Sequence, residues 1–339
     1  MHDQIIEKLK KTNIMTATES YVVRYPGFVK LAETQMKRFW FPDEYDVEKD
    51  KQDLLVNLWE SERHAINTAL KLFTLYEITV GDYWANYIIP NFPRPEIKRM
   101  ASAFCNVENN SHAPFYDQIN QVLGLSNDEF YESYKQNKVL LDRVKSIGSF
   151  INHKNPLVSV AAFSFIEGVV LYSSFALIKS FSSQGHSYMR ATGSGINASA
   201  IDENLHAMGG AGIYNELMLE AELTPEEVEF VQSEVREALI TIVSHEDLIN
   251  DMFFEKGNGR TVTKHQNKMF IRSRANECLH NLNQEPMFTN LKGNTIPEWF
   301  YSGINNYQMV DFFSVTGREY RRGWNRDKLR WVPKNVNNK

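Results

Sequence analysis

Cysteine is scarce in this chain of 339 residues. Only Cys105 and Cys278 are present, too few for a disulfide framework and without the spacing of a zinc–sulfur or iron–sulfur site. Two reduced cysteines suit the cytoplasm, and the polar N-terminus, MHDQIIEKLKK, lacks the apolar run of a signal peptide. We therefore expect a cytoplasmic protein without disulfides.

Glycine and proline are also few, at 17 and 11 residues, and no stretch reads as a linker. Strand-like signals are nearly absent, with one weak example near 258–262. Apolar residues instead recur at helical spacing, over about 26–39, 51–90, 95–123, 128–151, 196–219, 224–254 and 264–283. The chain is predicted to be all-α, with one helical domain over residues 1–320 that includes an N-terminal extension, 1–26.

Long apolar runs are limited to a single stretch, Leu157 to Ile178, whose one charged residue is Glu167. Its 22 residues could span a bilayer, but no second stretch approaches that length. We therefore expect a buried core helix and no membrane association. A carboxylate in such a helix must be neutralised by a proton, a counter-charge or a metal ion.

The net charge of −5 is spread unevenly along the chain. The last 22 residues contain eight Lys or Arg and two acids, so this end carries +6 and the remainder −11. A basic segment with aromatic residues can contact nucleic acid. Trp324 and Trp331 fit docking to an acidic protein groove equally well, and we expect that role for a flexible tail, residues 321–339.

Acids and histidines recur on the apolar faces of four predicted core helices. In chain order they are Glu77, Glu108 with His112, Glu167, and Glu203 with His206. Residues three or four apart share a helix face, so each acid–histidine pair can reach one ion. This is the ligand plan of a carboxylate-bridged two-metal site in a four-helix bundle. Oxygen and imidazole donors without thiolates suit iron or manganese.

Each element of this pattern also has an ordinary explanation. A Glu-x-x-His pair often lies on a solvated helix face, and Glu167 could be a protonated or salt-bridged core acid. The order of the four elements and their similar spacing favour the metal site. Asn109 competes with Glu108 for the second-helix position, because it is three residues from His112. We favour Glu108, the better ligand. We expect a π-type turn before Pro114 to point the side chains of Glu108 and His112 toward the same site.

Tyr116 lies one helical turn beyond His112, on the same predicted face. It could be an ordinary buried tyrosine, one of 15 in the chain. Beside an oxygen-activating metal pair, a phenol with apolar neighbours could instead be oxidised to a stable radical.

Four segments carry a specific resemblance: FWFPDEYD (39–46), ENNSHAPFY (108–116), AAFSFIEGVVLYSSFALIKSF (161–181) and AIDENLHAMGGA (200–211). Over about residues 27–320 the chain resembles the small, radical-carrying subunit of class I ribonucleotide reductase, of a bacterial or phage type. The resemblance implies a ferritin-like helical bundle that forms a homodimer. It also implies a large catalytic subunit as partner and allows for an activating flavoprotein. An iron pair is the favoured cofactor, with Mn/Fe or Mn/Mn as alternatives.

The resemblance also implies individual roles. The six acids and histidines above take the metal-ligand positions, with Glu77 where many members have Asp. Tyr116 matches the radical tyrosine, Trp40 the tryptophan of the radical-transfer path, and Asp202 the aspartate between that tryptophan and a metal-bound histidine. The tail departs from the pattern, because its only tyrosine is Tyr320, near its start. Tyr320 is the candidate relay residue there.

Two other functions fit parts of the pattern. A stand-alone di-metal oxidase or hydroxylase could use the same bundle, although Trp40, Asp202 and Tyr116 together favour the reductase subunit. A storage or purely structural helical protein would leave Glu167 protonated, but the chain is long and aromatic for a storage shell. Metal analysis separates the structural protein from both enzymes, and a radical signal separates the reductase subunit from the oxidase.

Overall fold

The structure of the protein, a computed structural model, describes residues 1–301. Thirteen α-helices and no strand occur in this range. Their bounds are α1 His2–Leu9, α2 Pro26–Arg38, α3 Glu60–Tyr83, α4 Ile89–Asn91, α5 Pro95–Val107, α6 Ala113–Leu123, α7 Asp128–Glu132, α8 Lys138–Ile151, α9 Pro156–Phe165, α10 Tyr172–Ser180, α11 Arg190–Glu220, α12 Pro225–Phe253 and α13 Lys264–Asn281. The all-α prediction is confirmed for these residues. Tyr320 and the predicted tail, 321–339, lie outside the described residues.

Short π-helical segments interrupt three of the long helices. They connect α3 to α4, α5 to α6, and α9 to the start of α10, at Trp84–Ile88, Glu108–His112 and Ile166–Val170. A π turn inserts one residue into the helix and changes which side chains share a face. The π turn predicted ahead of Pro114 is confirmed, since it spans Glu108 to His112.

The apolar stretch forms the centre of the molecule. It spans α9, the π turn at Ile166–Val170 and α10, and every residue from Pro156 to Ser180 is buried inside the protein. α11 packs along one side of it, and α8, α12 and α13 pack around the others. Among residues 1–301, one helical segment is long and apolar enough to cross a membrane, and it is this one. Its complete burial confirms the predicted core helix.

Two expectations about secondary structure need correction, and one helix was not predicted. Residues 258–262 form no strand, although the sequence pattern there is weakly strand-like. α3 begins at Glu60 rather than near residue 51, because Leu58 is extended and the Glu62 carboxylate accepts a hydrogen bond from the Trp59 backbone at 2.8 Å. The N-terminal extension contains α1, which buries Ile5 and Leu9.

Candidate metal centre

Four helical elements carry the predicted ligands to one place. Glu77 lies on α3, and Glu108 and His112 are the first and last residues of the π turn after α5. Glu167 lies in the π turn of the central helix, and Glu203 and His206 share one face of α11. The structure brings all six side chains together. They form two overlapping groups whose ligand atoms lie within 4.8 Å of one another: Glu77, Glu108, His112 and Glu203, and Glu108, Glu167, Glu203 and His206.

Two of the carboxylates are shared between the groups. Glu108 lies 2.9 Å from Nδ1 of His112 through one oxygen and 2.6 Å from Nδ1 of His206 through the other. Glu203 spans the same two imidazoles, at 3.2 Å and 3.3 Å. Glu77 belongs to the His112 side, at 3.5 Å, and Glu167 to the His206 side, at 3.7 Å. This is a two-site arrangement with one terminal acid, one histidine and two shared acids at each site.

The donor atoms of the six side chains are suited to metal ions and are poorly paired with one another. All six side chains are at most 2% exposed. Apart from the close acid–imidazole approaches above, both carboxylate oxygens of Glu77, Glu108 and Glu203, and the Nδ1 atoms of both histidines, have no hydrogen-bond partner among residues 1–301. Four acids against two imidazoles leave excess negative charge in an apolar interior, which is costly unless cations neutralise it. The residues therefore fit a di-metal site with oxygen and nitrogen donors.

Burial controls the titration of these groups in the metal-free protein. Burial, reinforced by the charges of neighbouring carboxylates, raises the pKa of Glu77 and Glu167 well above the ordinary value for Glu. Burial disfavours the charged form of His206, but the Glu108 carboxylate outweighs it and raises the pKa of His206 to about 9. The pKa of His112 is likewise raised, because Glu108, Asp202 and Glu203 offset its burial.

These shifts predict that metal binding releases protons. A metal ligand must be deprotonated, and groups whose pKa is raised hold their protons at neutral pH until an ion displaces them. Metal affinity should therefore rise with pH between 6 and 7.5, by about tenfold per pH unit for each proton released per ion. Manganese(II) titrations at several pH values, with proton release followed in weak buffer, check this. An affinity independent of pH would contradict it.

The π turn decides between Glu108 and Asn109. Five residues from Glu108 to His112 fill the widened turn, so both end residues face the cluster. Asn109 is exposed instead, and its amide donates to the Cys105 carbonyl at 2.9 Å. The structure therefore places Glu108 at the site and Asn109 outside it.

A hydrogen-bonded chain leads from the site toward the surface. Nε2 of His112 lies 3.2 Å from Oδ2 of Asp202, and Trp40 donates its indole N–H to the same oxygen at 2.8 Å. The Trp40 ring also stacks on His112, with centroids 5.7 Å apart. Gln35 donates to the other oxygen of Asp202 at 3.0 Å, a partner that the sequence did not suggest. These bonds fix the His112 ring with Nδ1 toward the cluster.

Several hydrogen bonds that hold Glu167 and its π turn in place were also not predicted. Trp84 donates its indole N–H to Glu167 at 2.9 Å. Two buried arginines bond the backbone of the π turn that carries Glu167: Arg274 donates to the Gly168 carbonyl at 3.0 Å, and Arg143 to the Val170 carbonyl at 2.8 Å. Trp84, the first residue of the π-helical segment after α3, lies seven residues after Glu77, about two helical turns along the same face, so helical spacing could have found it.

Tyr116 lies beside the cluster in an aromatic and apolar environment. Its side chain is fully buried, with the Phe73 ring 4.6 Å away and the His112 ring 6.5 Å away, centroid to centroid. The hydroxyl has no hydrogen-bond partner among the residues that the structure describes. Burial, followed by the negative charge of Glu77, raises the pKa of Tyr116 well above that of an ordinary tyrosine. The phenol is therefore neutral and shielded from water.

Comparison with known proteins agrees with this geometry. Residues 17–295 match the family model "Ribonucleotide reductase, small chain". The subunit beta of ribonucleoside-diphosphate reductase from Bacillus subtilis (strain 168) is 27% identical over 304 residues, covering 85% of this chain and 86% of that protein.

Solved structures of other proteins share the fold, and this likeness confirms the predicted ferritin-like bundle. The dimanganese(II) form of NrdF from Streptococcus sanguinis superposes with a TM-score of 0.73 at 19% identity, over 85% of this chain and 99% of the other. The ribonucleotide reductase R2 subunit from Clostridium botulinum gives 0.71 at 21% identity, over 83% of this chain and 88% of the other. With a family match over most of its length, the chain belongs to the ribonucleotide reductase small chain family.

Proposed function

We propose that this chain generates and stores a tyrosyl radical on Tyr116, beside two metal ions held by the six buried ligands, and passes it to a large catalytic subunit. One observation carries the proposal: four carboxylates and two imidazoles, buried and short of protein partners, lie one helical turn from an isolated phenol. The test is electron paramagnetic resonance of protein supplied with iron or manganese and oxygen. A tyrosyl signal should appear.

The ligand roles follow from the two groups. Glu77 and His112 would hold one ion, Glu167 and His206 the other, and Glu108 and Glu203 would bridge them. When bound, a redox-active ion pair supplies a one-electron oxidant from molecular oxygen. Trp84 and Asp202 hold Glu167 and His112 in orientation through hydrogen bonds, so the ligands need little rearrangement.

Tyr116 gives up one electron and its hydroxyl proton when it becomes a phenoxyl radical. We assign the proton to the water formed as molecular oxygen is reduced, because Glu77 must stay deprotonated to hold an ion. The Phe73 and Phe115 rings cover Tyr116 and exclude water and thiols that would quench a radical.

The radical must travel out of the bundle to reach a substrate. His112, Asp202 and Trp40 form the route, since each contacts the next and Trp40 is followed by Phe41, which is 57% exposed. Tyr320, which lies outside the described residues, is the candidate relay residue for the step that follows. This route favours the reductase subunit over a stand-alone oxidase or hydroxylase, which has no need to export a radical.

The metals are proposed to be an iron pair. Carboxylate and imidazole donors suit iron and manganese alike, and the related S. sanguinis structure is named as a dimanganese(II) form. Elemental analysis of protein loaded from an equal mixture of both metals would distinguish Fe/Fe from Mn/Fe and Mn/Mn.

Membership of the family implies pairing with the large subunit. We further propose a homodimer in the cytoplasm, with an activating flavoprotein as a partner if the pair is manganese, and no role for nucleic acid or membrane. Sedimentation of the purified chain tests the dimer, since a mass near 39.3 kDa would contradict it.

Deleting residues 321–339 should abolish nucleotide reduction with the large subunit and leave two metal ions per chain. The basic tail is proposed to dock in an acidic groove, whereas the ligands all lie between residues 77 and 206. Reductase assays and elemental analysis on the same preparation check this. As a control, a peptide of residues 318–339 should inhibit the full-length complex. Loss of metal on truncation, or full activity without the tail, would contradict it.

A further inference from the structure

Two buried hydroxyl groups near the metal centre lack partners. Tyr116 and Ser199 are both fully buried, and in the described part of the chain neither the Tyr116 hydroxyl nor Oγ of Ser199 has a hydrogen-bond partner. Buried polar groups without partners are rare in folded proteins and need an explanation. Serines within helices commonly donate to the carbonyl four residues earlier. Ser194, on the same helix, does so at 2.8 Å to Arg190, but Ser199 does not.

The two hydroxyls lie at the same level of the bundle. His112 contacts Glu203 at 3.2 Å, which fixes one point of contact between the two segments. The Phe115 ring fills the space that a Cβ at Gly195 would take. The two segments therefore run antiparallel, so that later residues of α6 lie beside earlier residues of α11. Tyr116 is four residues after His112, and Ser199 is four residues before Glu203. Each is one helical turn from the contact, in the same direction.

Ser199 also lies on the face of α11 that carries the metal ligands. Ser199 precedes Glu203 by four residues and His206 by seven, so the three side chains share the stripe that faces the metal centre. Tyr116 shares a face with His112 for the same reason. Burial raises the pKa of Tyr116, and Ser199 lies close enough to oppose part of that rise.

We propose that Ser199 is the hydrogen-bond partner of Tyr116 and controls the lifetime of its radical. In the resting protein the Tyr116 hydroxyl donates to Oγ of Ser199. On oxidation Tyr116 loses one electron to the oxidant of the proposed function, and its proton leaves with the water formed from molecular oxygen. Ser199 keeps its own proton and turns it toward the phenoxyl oxygen. A donated hydrogen bond stabilises the phenoxyl oxygen, so the radical should persist longer. The radical half of this inference rests on the proposed function.

The hydrogen bond can be tested without metal. A tyrosine that donates a hydrogen bond absorbs at longer wavelength than one that does not. In the metal-free protein, Ser199→Ala should shift part of the tyrosine absorption to shorter wavelength, and the difference should vanish in a Tyr116→Phe background. Ser164→Ala is the matched control, because that buried hydroxyl bonds the Ala207 carbonyl at 2.7 Å. Ser199→Thr keeps the hydroxyl and should keep the wild-type spectrum.

The radical gives a second readout. In the wild type, its electron paramagnetic resonance spectrum should include a coupling to an exchangeable proton that disappears in D₂O. Ser199→Ala should lose this coupling, and its radical should decay several-fold faster. A Ser199→Ala protein with wild-type absorption, or a radical with unchanged coupling and lifetime, would overturn the inference. If no tyrosyl radical forms, the proposed function fails, while the absorption measurement still tests the hydrogen bond.

Discussion

Tyr116→Phe should bind two metal ions per chain, form no stable tyrosyl radical, and lose nucleotide reduction by at least about 10³-fold, as expected when an essential group is removed. The substitution removes only the hydroxyl and keeps the ring that packs on Phe73. Folding and metal binding should therefore survive, because the Tyr116 hydroxyl has no partner within the cluster. Spin resonance, elemental analysis and a reductase assay on one preparation provide the test.

Tyr214→Phe is the matched control for this experiment. Tyr214 is also buried, but its hydroxyl contacts Gln284, away from the metal ligands. Its replacement should leave the radical and the activity close to wild type. The same tyrosyl spectrum in the Tyr116→Phe variant would mean that another tyrosine carries the radical.

Glu108→Ala should lose both metal ions. Glu108 is one of two acids shared by the two ligand groups, and its oxygens reach both imidazoles. Removal of a bridging ligand should weaken each site by more than about 100-fold, the upper end of the range for loss of an outer-shell partner. Glu77→Ala and Glu167→Ala should each weaken mainly one ion, because each acid belongs to one group. Manganese(II) binding isotherms followed by spin resonance measure this.

Glu96→Gln serves as the control for a buried acid outside the cluster. Its carboxylate accepts backbone hydrogen bonds from Arg24 and Tyr25, in the first turn of α5 and twelve residues before Glu108. This variant should bind two ions like the wild type. Full metal occupancy in Glu108→Ala would remove Glu108 from the ligand set and contradict the shared-acid arrangement.

The metal cluster could be predicted because residue spacing in a sequence shows which side chains share a helix face. Glu203 and His206 share a face at three-residue spacing, and the unusual four-residue spacing of Glu108 and His112, followed by Pro114, predicted the π turn. Glu167 was conspicuous because a lone charge in an apolar stretch requires compensation. These features depend on local geometry and on the cost of burying charge.

Residues that stabilise the site from distant parts of the chain could not be predicted from residue spacing. Gln35 meets Asp202 across 167 positions, and Arg274 meets Gly168 across 106. Such pairs depend on how the helices pack, and no spacing rule connects them. α1 was missed for a different reason: its eight residues bury only Ile5 and Leu9, a pattern too short to stand out.

Anomalous diffraction above the iron and manganese absorption edges, from crystals supplied with both metals, is the most direct test of the central claim. Two peaks per chain are expected. One should lie among Glu77, Glu108, His112 and Glu203, and the other among Glu108, Glu167, Glu203 and His206. A chain with one peak, with none, or with peaks away from these side chains would contradict the two-metal assignment.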